Sequence, residues 1–86
     1  MITWDEVKSK NIPLNEIKED SPEYEAMKSA AENGDRIAQY NMGIWHHKVS
    51  KKHKEAEYWY QKAITQEVEG AKESYDELTK EMSLMK

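Results

Sequence analysis

The chain has 86 residues, 37% hydrophobic and 35% charged, which leaves room for one small domain with a lean core. It has no cysteine, which excludes disulfides and thiolate chemistry, and its net charge of −4 gives no overall attraction to nucleic acid. No apolar run approaches the ~20 residues of a membrane span, and the N-terminus is too polar for a secretory signal, so we expect a soluble, cytoplasmic protein without a membrane partner.

The first twenty residues predict a short helix and a turn. Thr3 and Glu6 have the spacing of a capping box, which places a helix start after Thr3. Pro13 interrupts the segment that follows, and the apolar residues Leu14 and Ile17 predict one loosely helical turn packed against the rest of the chain. We therefore assign residues 1–20 to an N-terminal capping segment and residues 21–86 to a helical domain.

Helix signals continue along the next thirty residues. Ser21 followed by Pro22 is typical of an N-cap and a first helical position. Gly34 is suited to a left-handed position at the end of that helix, and Asp35 can cap the next one. The apolar stripe that follows predicts a helix over about 36–47, ending in a turn before Ser50.

Two further stripes predict helices over about 50–67 and from Ala71 onward, with a frayed tail after Lys80. No segment alternates as a strand does, so the predicted fold is all-α, a short row of antiparallel helix pairs. Gly43 inside a helix suggests close approach of a neighbouring backbone. The predicted core contains small and aromatic residues where helices meet: Ala38, Met42, Gly43, Trp45, Ala56, Trp59, Tyr60 and Ala63.

Two sequence segments carry a family resemblance. Residues 31–43 read AENGDRIAQYNMG, and residues 54–63 read KEAEYWYQKA. The first resembles the opening half of a Sel-one-like repeat, Ala-x-x-Gly-x-x-x-Ala-Gln-Tyr-Asn-Leu-Gly, and the second resembles its closing half. The resemblance implies one full repeat over about 31–67, with half-repeats on both sides, in a fold like that of tetratricopeptide repeats.

Proteins of this family are adaptor modules, so the resemblance implies binding of another protein or peptide in a helical-repeat groove, with no catalytic residues and no cofactor. A small adaptor or inhibitor that occupies its partner fits the length of the chain. Because repeat arrays need covered ends, two copies could also stack as a homodimer. The resemblance places the helix over 36–47 on the inner face, with these side chains projecting into the groove: Arg36, Gln39, Tyr40 and His46 or His47.

A basic window suggests an alternative function. Residues 46–54 contain four lysines and no acidic residue, whereas residues 1–45 and 55–86 each have a net charge of −4. This window, with Tyr58 and Trp59 nearby, could bind nucleic acid, phosphate groups or an acidic protein. The acidic flanks would repel phosphates, which makes nucleic acid the less favoured partner, but they do not oppose an acidic protein bound at the window. The simpler interpretation is a solvated helix end. Candidate binding residues in the window are Lys48, Lys51 and Lys52.

Hidden chemistry has little support in the sequence. His46, His47 and His53 could ligate zinc together with Glu57, but the spacing matches no zinc motif, so we expect no metal. No nucleophile motif or glycine-rich phosphate loop occurs, and the acidic pairs lie in polar runs. We therefore expect a protein that is not an enzyme.

Overall fold

The structure is a computed structural model that describes residues 2–85. No strand occurs in that range, so the predicted all-α fold is confirmed, and none of the helices there is both long and apolar enough to cross a lipid bilayer. A 3-10 turn, Leu14–Glu16, and a π-helical segment, Trp45–Val49, accompany the α-helices. The α-helices are α1 (Trp4–Lys10), α2 (Pro22–Glu32), α3 (Arg36–Ile44), α4 (His53–Thr65) and α5 (Ala71–Leu84).

Three helices begin where side-chain caps predict. Thr3, Ser21 and Asp35 each accept a hydrogen bond from the backbone N–H three residues on, at 3.2, 3.1 and 2.9 Å. These caps satisfy donors that the first helical turn leaves without an intrahelical partner. Gly34 has a φ of 98°, which lets the chain reverse between α2 and α3. At the C-terminus, α5 continues to Leu84, so the frayed tail predicted after Lys80 is wrong.

The four longer helices pack in chain order. Helix α3 contacts α2 on one side and α4 on the other, and α5 packs on α4. Short connections make each neighbouring pair antiparallel. Alanines that are fully buried allow the helix axes to come close: Ala38, Ala56, Ala63 and Ala71.

Gly43 makes room for an aromatic ring. A Cβ placed on Gly43 would overlap the ring of Tyr60, lying 2.7 Å from its Cε1 atom. Tyr60 is 1% exposed and comes from α4. The prediction that Gly43 faces a neighbouring backbone is therefore wrong, because the space left by the missing side chain holds the Tyr60 ring instead.

The helix predicted to run to His47 changes from α-helix to π-helix at Trp45. Helix α3 ends at Ile44, and the backbone continues as a π-helical segment in which the Ser50 N–H donates to the Trp45 carbonyl at 3.1 Å. A π-turn holds one more residue than an α-turn. Three consecutive side chains in it are buried, Trp45, His46 and His47, and they contact different parts of the protein.

The N-terminal capping segment packs into the main core. Trp4, Val7 and Ile17 are buried in one cluster with Tyr24 and other apolar residues of α2 and α3. The indole Nε1 of Trp45 donates a hydrogen bond of 2.9 Å to the Ile17 carbonyl. This bond ties the segment to the π-helical segment across 28 residues of sequence.

Candidate functional site

A groove of about 620 Å³ lies between α2 and α4. Its floor is one face of α3 and of the π-helical segment, formed by Gln39, Met42 and His46. These positions lie three and four residues apart, which places them one above another along a helix. We call this surface the α2–α4 groove.

Aromatic side chains form much of its walls. Tyr24 lines the α2 side and is buried, whereas Tyr58 on the α4 side is 52% exposed. The Tyr58 ring meets Trp59 edge-on, with the ring centroids 5.0 Å apart. Large aromatic rings held in a fixed orientation at the edge of a concave surface are typical of protein-binding sites.

Charged side chains of both signs surround the opening. Among residues 2–85, four charged side chains here have no salt-bridge partner. One of them, Lys62, places its Nζ over the Tyr58 ring, 5.1 Å from the ring centroid. The four charges offset one another, and the groove has no strong bias towards cations or anions. The four are Lys28 and Glu32 on α2, and Glu55 and Lys62 on α4.

Polar cross-links close both ends of the groove. At the end where α2 and α4 begin, Lys52 Nζ lies 3.2 Å from a Glu19 carboxylate oxygen. After they end, the Gln66 side-chain amide donates to the Gly34 carbonyl at 2.9 Å and to Gln39 Oε1 at 2.8 Å. Because equivalent ends are joined, α2 and α4 run parallel, and the groove is bounded at both ends as well as below.

His46 lies at the Lys52 end of the groove floor. It is 4% exposed, and its Nδ1 lies 3.1 Å from the Ser50 hydroxyl oxygen. Burial lowers the pKa of His46, so the imidazole is neutral at neutral pH. Its Nε2 has no hydrogen-bond partner in residues 2–85. The atom is not fully enclosed, because Trp4 Nε1 is the one fully enclosed side-chain atom in that range that lacks a partner. The Nε2 atom is therefore accessible to water, on a residue that lines the groove.

The structure places some of the predicted groove residues in the α2–α4 groove and others outside it. Gln39 and His46 lie on the groove floor, and Arg36 is exposed outside it. Tyr40 and His47 were expected to project inward, but they face the opposite side, towards α5. Tyr40 Oη lies 3.1 Å from Ser74 Oγ. Each follows a floor residue directly in sequence, and one residue on a helix turns the side chain by about 100°.

His47 instead joins α3 and α4 to α5. It is 2% exposed, with Nδ1 3.0 Å from the Tyr60 hydroxyl and Nε2 3.0 Å from a Glu81 carboxylate oxygen. The same carboxylate oxygen lies 3.9 Å from His53 Nε2. These contacts, the hydrogen bond from His47 first, hold the pKa of Glu81 below its usual range.

The suggested zinc ligands do not come together. Within residues 2–85, the group close enough to share an ion is His47 with Glu77 and Glu81, without His46, His53 or Glu57. Lys48 Nζ lies 2.7 Å from Glu77, so an ammonium group already stands among these carboxylates. We interpret this cluster as a charged hydrogen-bond network that holds α5.

Half of the basic window is paired within the chain. Lys48 contacts Glu77 on α5, and Lys52 contacts Glu19. Lys51 and Lys54 are exposed and have no salt bridge in the part of the chain that the structure describes. The positive charge available to an outside phosphate is therefore smaller than the sequence suggests.

Two of the wall residues, Glu55 and Lys62, were missed at the sequence level, and Tyr58 was noted only as a neighbour of the basic window. Glu55, Tyr58 and Lys62 recur every three or four residues on α4, next to the buried Trp59. This spacing puts them on one exposed face, which is the signal that could have identified them. The cross-links at the groove ends carry no comparable local signal, because Lys52 and Glu19 are 33 residues apart.

The predicted core residues are all buried. Trp59 is 6% exposed, Gly43 is also buried, and the other six residues are each 2% exposed or less. Six of the eight divide between two clusters. Ala38, Met42, Trp45 and Trp59 pack with the N-terminal capping segment, and Ala56 and Tyr60 pack with Leu78 of α5. The set is Ala38, Met42, Gly43, Trp45, Ala56, Trp59, Tyr60 and Ala63.

Glu81→Gln should reduce stability in a pH-dependent way. Because the folded-state pKa of Glu81 is lowered, its ionised form stabilises the protein fully above the usual carboxyl pKa. That contribution is lost as the pH falls through the lower folded-state value. We expect the difference in unfolding free energy between wild type and Glu81→Gln, measured in urea, to be largest near neutral pH and to close on acidification. Glu73→Gln, on the exposed face of α5, is the control; an equal effect of both variants would contradict the prediction.

Comparison with known proteins gives no relative for this chain. No protein-family model, no curated protein and no solved structure matches it. The resemblance to the Sel-one-like repeat therefore depends on residues 31–43 and 54–63 and on the order in which their helices pack. In the structure these segments include most of α3 and most of α4, which form an antiparallel pair.

Proposed function

We propose that this chain is a protein–protein interaction module that binds a partner in the α2–α4 groove. The observation that carries the proposal is the groove itself: a cavity of about 620 Å³ with an exposed aromatic ring, Tyr58, beside four charged side chains that have no salt bridge within residues 2–85. Aromatic residues supply binding energy at the centre of protein interfaces, and charges around them set orientation and selectivity.

We further propose that the chain is a short member of the Sel-one-like repeat family, acting as an adaptor or inhibitor in the cytoplasm and not as an enzyme. The helix pair α3–α4, with α2 before it and α5 after it, supports the repeat interpretation. His47 is engaged by Tyr60 and Glu81 within the chain, so we assign it a structural role outside the groove. Binding that occupies a partner surface needs no further chemistry from the chain.

The basic-window alternative has weaker support. A binder of nucleic acid or phosphate would use the lysines of residues 48–54, yet Lys48 and Lys52 are held by carboxylates of the same chain. Two free lysines, Lys51 and Lys54, neutralise few phosphates, so the affinity they could supply at physiological salt is small. We keep this alternative as an outcome of the test below.

The groove proposal is tested by comparing variants in affinity capture from the native host. We expect a protein captured by the wild type to bind Tyr58→Ala/Lys62→Ala at least tenfold more weakly, since an exposed aromatic anchor and a wall charge are removed. Leu84→Ala is the matched control, because Leu84 is 84% exposed and lies outside the groove. Calorimetry with the purified partner gives the dissociation constants.

The same experiment separates the two functions. Lys51→Glu/Lys54→Glu should leave protein capture unchanged if the groove is the binding surface. Recovery of nucleic acid by the wild type, lost with the two glutamates and lost as salt rises, would instead support the basic window. A partner that tolerates Tyr58→Ala/Lys62→Ala would contradict the groove proposal.

A further inference from the structure

Two polar atoms in the α2–α4 groove lack partners although the side chains that carry them are buried. His46 is 4% exposed and Tyr24 is 6% exposed, and both line the groove. Neither His46 Nε2 nor the Tyr24 hydroxyl has a hydrogen-bond partner in residues 2–85, and neither atom is fully enclosed. Buried polar groups are nearly always hydrogen-bonded, so a ligand that enters here must offer hydrogen bonds equivalent to those of water.

The Ser50 hydroxyl makes His46 Nε2 an acceptor. Its oxygen lies 3.5 Å from the carbonyl oxygen of His46, four residues earlier, and 3.1 Å from His46 Nδ1. A serine in a helical segment donates its hydrogen to the carbonyl one turn back. The hydroxyl oxygen then accepts from Nδ1–H, and in the neutral imidazole the free lone pair lies on Nε2.

An acidic side chain lies at the same end of the groove. Glu55 is two residues past the start of α4 and Tyr24 is two residues past the start of α2, and these parallel helices begin at one end. Burial lowers the pKa of His46, and Glu55 is the strongest of the charges that oppose this shift. Lys52, also at this end, is paired with Glu19. The His46 end of the groove therefore has a surplus negative charge.

The cation on the α2 wall lies further along the groove. Lys28 follows Tyr24 by four residues, which places it about 6 Å further along the helix. Burial lowers the pKa of His46, and Lys28 adds to this shift less than Lys52 does. A cation bound at the His46 end is therefore attracted by Glu55 more than it is repelled by Lys28. The Lys28 ammonium remains available to an acidic group one turn away.

A guanidinium group fits the His46 end. The groups there are acceptors: the lone pair of His46 Nε2, the Glu55 carboxylate and the oxygen of the Tyr24 hydroxyl. The Tyr24 and His46 rings are nearly perpendicular, at 88°, with centroids 6.3 Å apart, so their polar atoms do not share one plane. Arginine spreads several N–H donors over a planar group, whereas lysine donates from a single nitrogen. An anion brought to this end would meet the Glu55 carboxylate instead of a counter-charge.

We propose that the His46 end of the α2–α4 groove binds an arginine side chain of a protein partner, whose guanidinium donates to His46 Nε2 and pairs with the Glu55 carboxylate. The Tyr24 hydroxyl oxygen accepts a further N–H of the same group. An acidic side chain of the partner, close to this arginine, pairs with Lys28. This inference rests on the proposed function, and it names the side chains that the groove selects.

The acceptor is tested first, in the free protein. Nitrogen-15 NMR of the histidine rings distinguishes a nitrogen that carries hydrogen from one that does not. We expect the His46 signals near neutral pH to show the hydrogen on Nδ1 and a lone pair on Nε2. A hydrogen on Nε2 would remove the acceptor and overturn the proposal.

Arginine recognition is tested with random peptides displayed on phage and selected on the wild-type protein. We expect peptides that lose affinity for Tyr58→Ala to share an arginine with an acidic residue near it. In synthetic copies, citrulline in place of this arginine keeps the shape without the charge and should weaken binding about tenfold or more. Lysine in its place should weaken binding about threefold or more.

Variants of the protein locate the arginine in the groove. Glu55→Gln should weaken the arginine peptide about threefold or more, and should have no effect on the citrulline peptide, as a double-mutant cycle measures. Glu57→Gln is the matched control, because Glu57 is on the same helix and does not line the groove. His46→Phe removes the acceptor and should weaken binding about tenfold, whereas His46→Gln keeps an acceptor oxygen and should retain most of the affinity.

The outcomes separate this inference from the proposed function. Peptides that need Tyr58 but contain no arginine, or that bind equally well with citrulline or lysine in its place, would contradict the arginine site and leave the groove function intact. Absence of coupling between the arginine and Glu55 would do the same. If no selected peptide depends on Tyr58, both proposals fail. Circular dichroism of each variant confirms folding.

Discussion

Trp45→Ala should lower the free energy of unfolding by about 3–5 kcal/mol, the range for removing a large buried aromatic side chain. Trp45 is 2% exposed, and its ring centroid lies 4.7 Å from that of Tyr24. The substitution also leaves the Ile17 carbonyl without its donor, because the indole Nε1 bond of 2.9 Å is lost. Urea unfolding followed by circular dichroism measures the loss.

Two control variants separate packing from the hydrogen bond. Trp45→Phe keeps a ring against Tyr24 and removes the donor to Ile17, so we expect a smaller loss of about 1–2 kcal/mol. Tyr58→Ala removes an aromatic ring that is 52% exposed and should change stability by less than about 1 kcal/mol. Equal losses for Trp45→Ala and Tyr58→Ala would contradict this account of the core.

Gly43→Ala should destabilise the protein by a net ~1 kcal/mol, although alanine is the better helix former. The added methyl group would overlap the Tyr60 ring, which is 1% exposed and cannot move outward freely. Overpacking of a filled core typically costs about 1–3 kcal/mol, more than the ~1 kcal/mol gained in helix propensity. His47 restricts the ring further, because it lies 3.0 Å from the Tyr60 hydroxyl.

Gly34→Ala is the comparison for Gly43→Ala. Apart from the neighbouring residues in the chain, no atom of residues 2–85 lies within 4 Å of a Cβ built on Gly34, but its φ is 98°, so the cost there comes from backbone strain and not from overlap. Tyr60→Leu should relieve the Gly43→Ala penalty and leave the Gly34→Ala penalty unchanged. A double-mutant cycle in urea measures both couplings, and the absence of coupling between positions 43 and 60 would contradict the ring-contact explanation.

The helix starts could be predicted because capping is local. A cap depends on a side chain and a backbone N–H three residues away, and Thr3, Ser21 and Asp35 all follow that rule. The change of winding at Trp45 could not be predicted in the same way. The π-helical segment accompanies the burial of three consecutive side chains, two of which, Trp45 and His47, have partners distant in sequence, Ile17 and Glu81. Residue spacing along the chain does not reveal such contacts.

The groove was only partly predictable. The family resemblance pointed to α3 as the inner face, and Gln39 and His46 do lie on the groove floor. It gave the wrong orientation for Tyr40 and His47, since α5 occupies that side of α3 and α4 and supplies partners for both. Residue spacing shows which side chains share a face of a helix, but not which neighbouring helix will cover that face.

The cross-links at the two ends of the α2–α4 groove differ in their chemistry. One is an ion pair between half-exposed side chains, Lys52 and Glu19, which dissolved salt screens. The other is a pair of hydrogen bonds donated by the uncharged side-chain amide of Gln66, which salt affects little. As ionic strength rises, we therefore expect the ion pair at the His46 end of the groove to weaken while the hydrogen bonds at the Gln66 end persist.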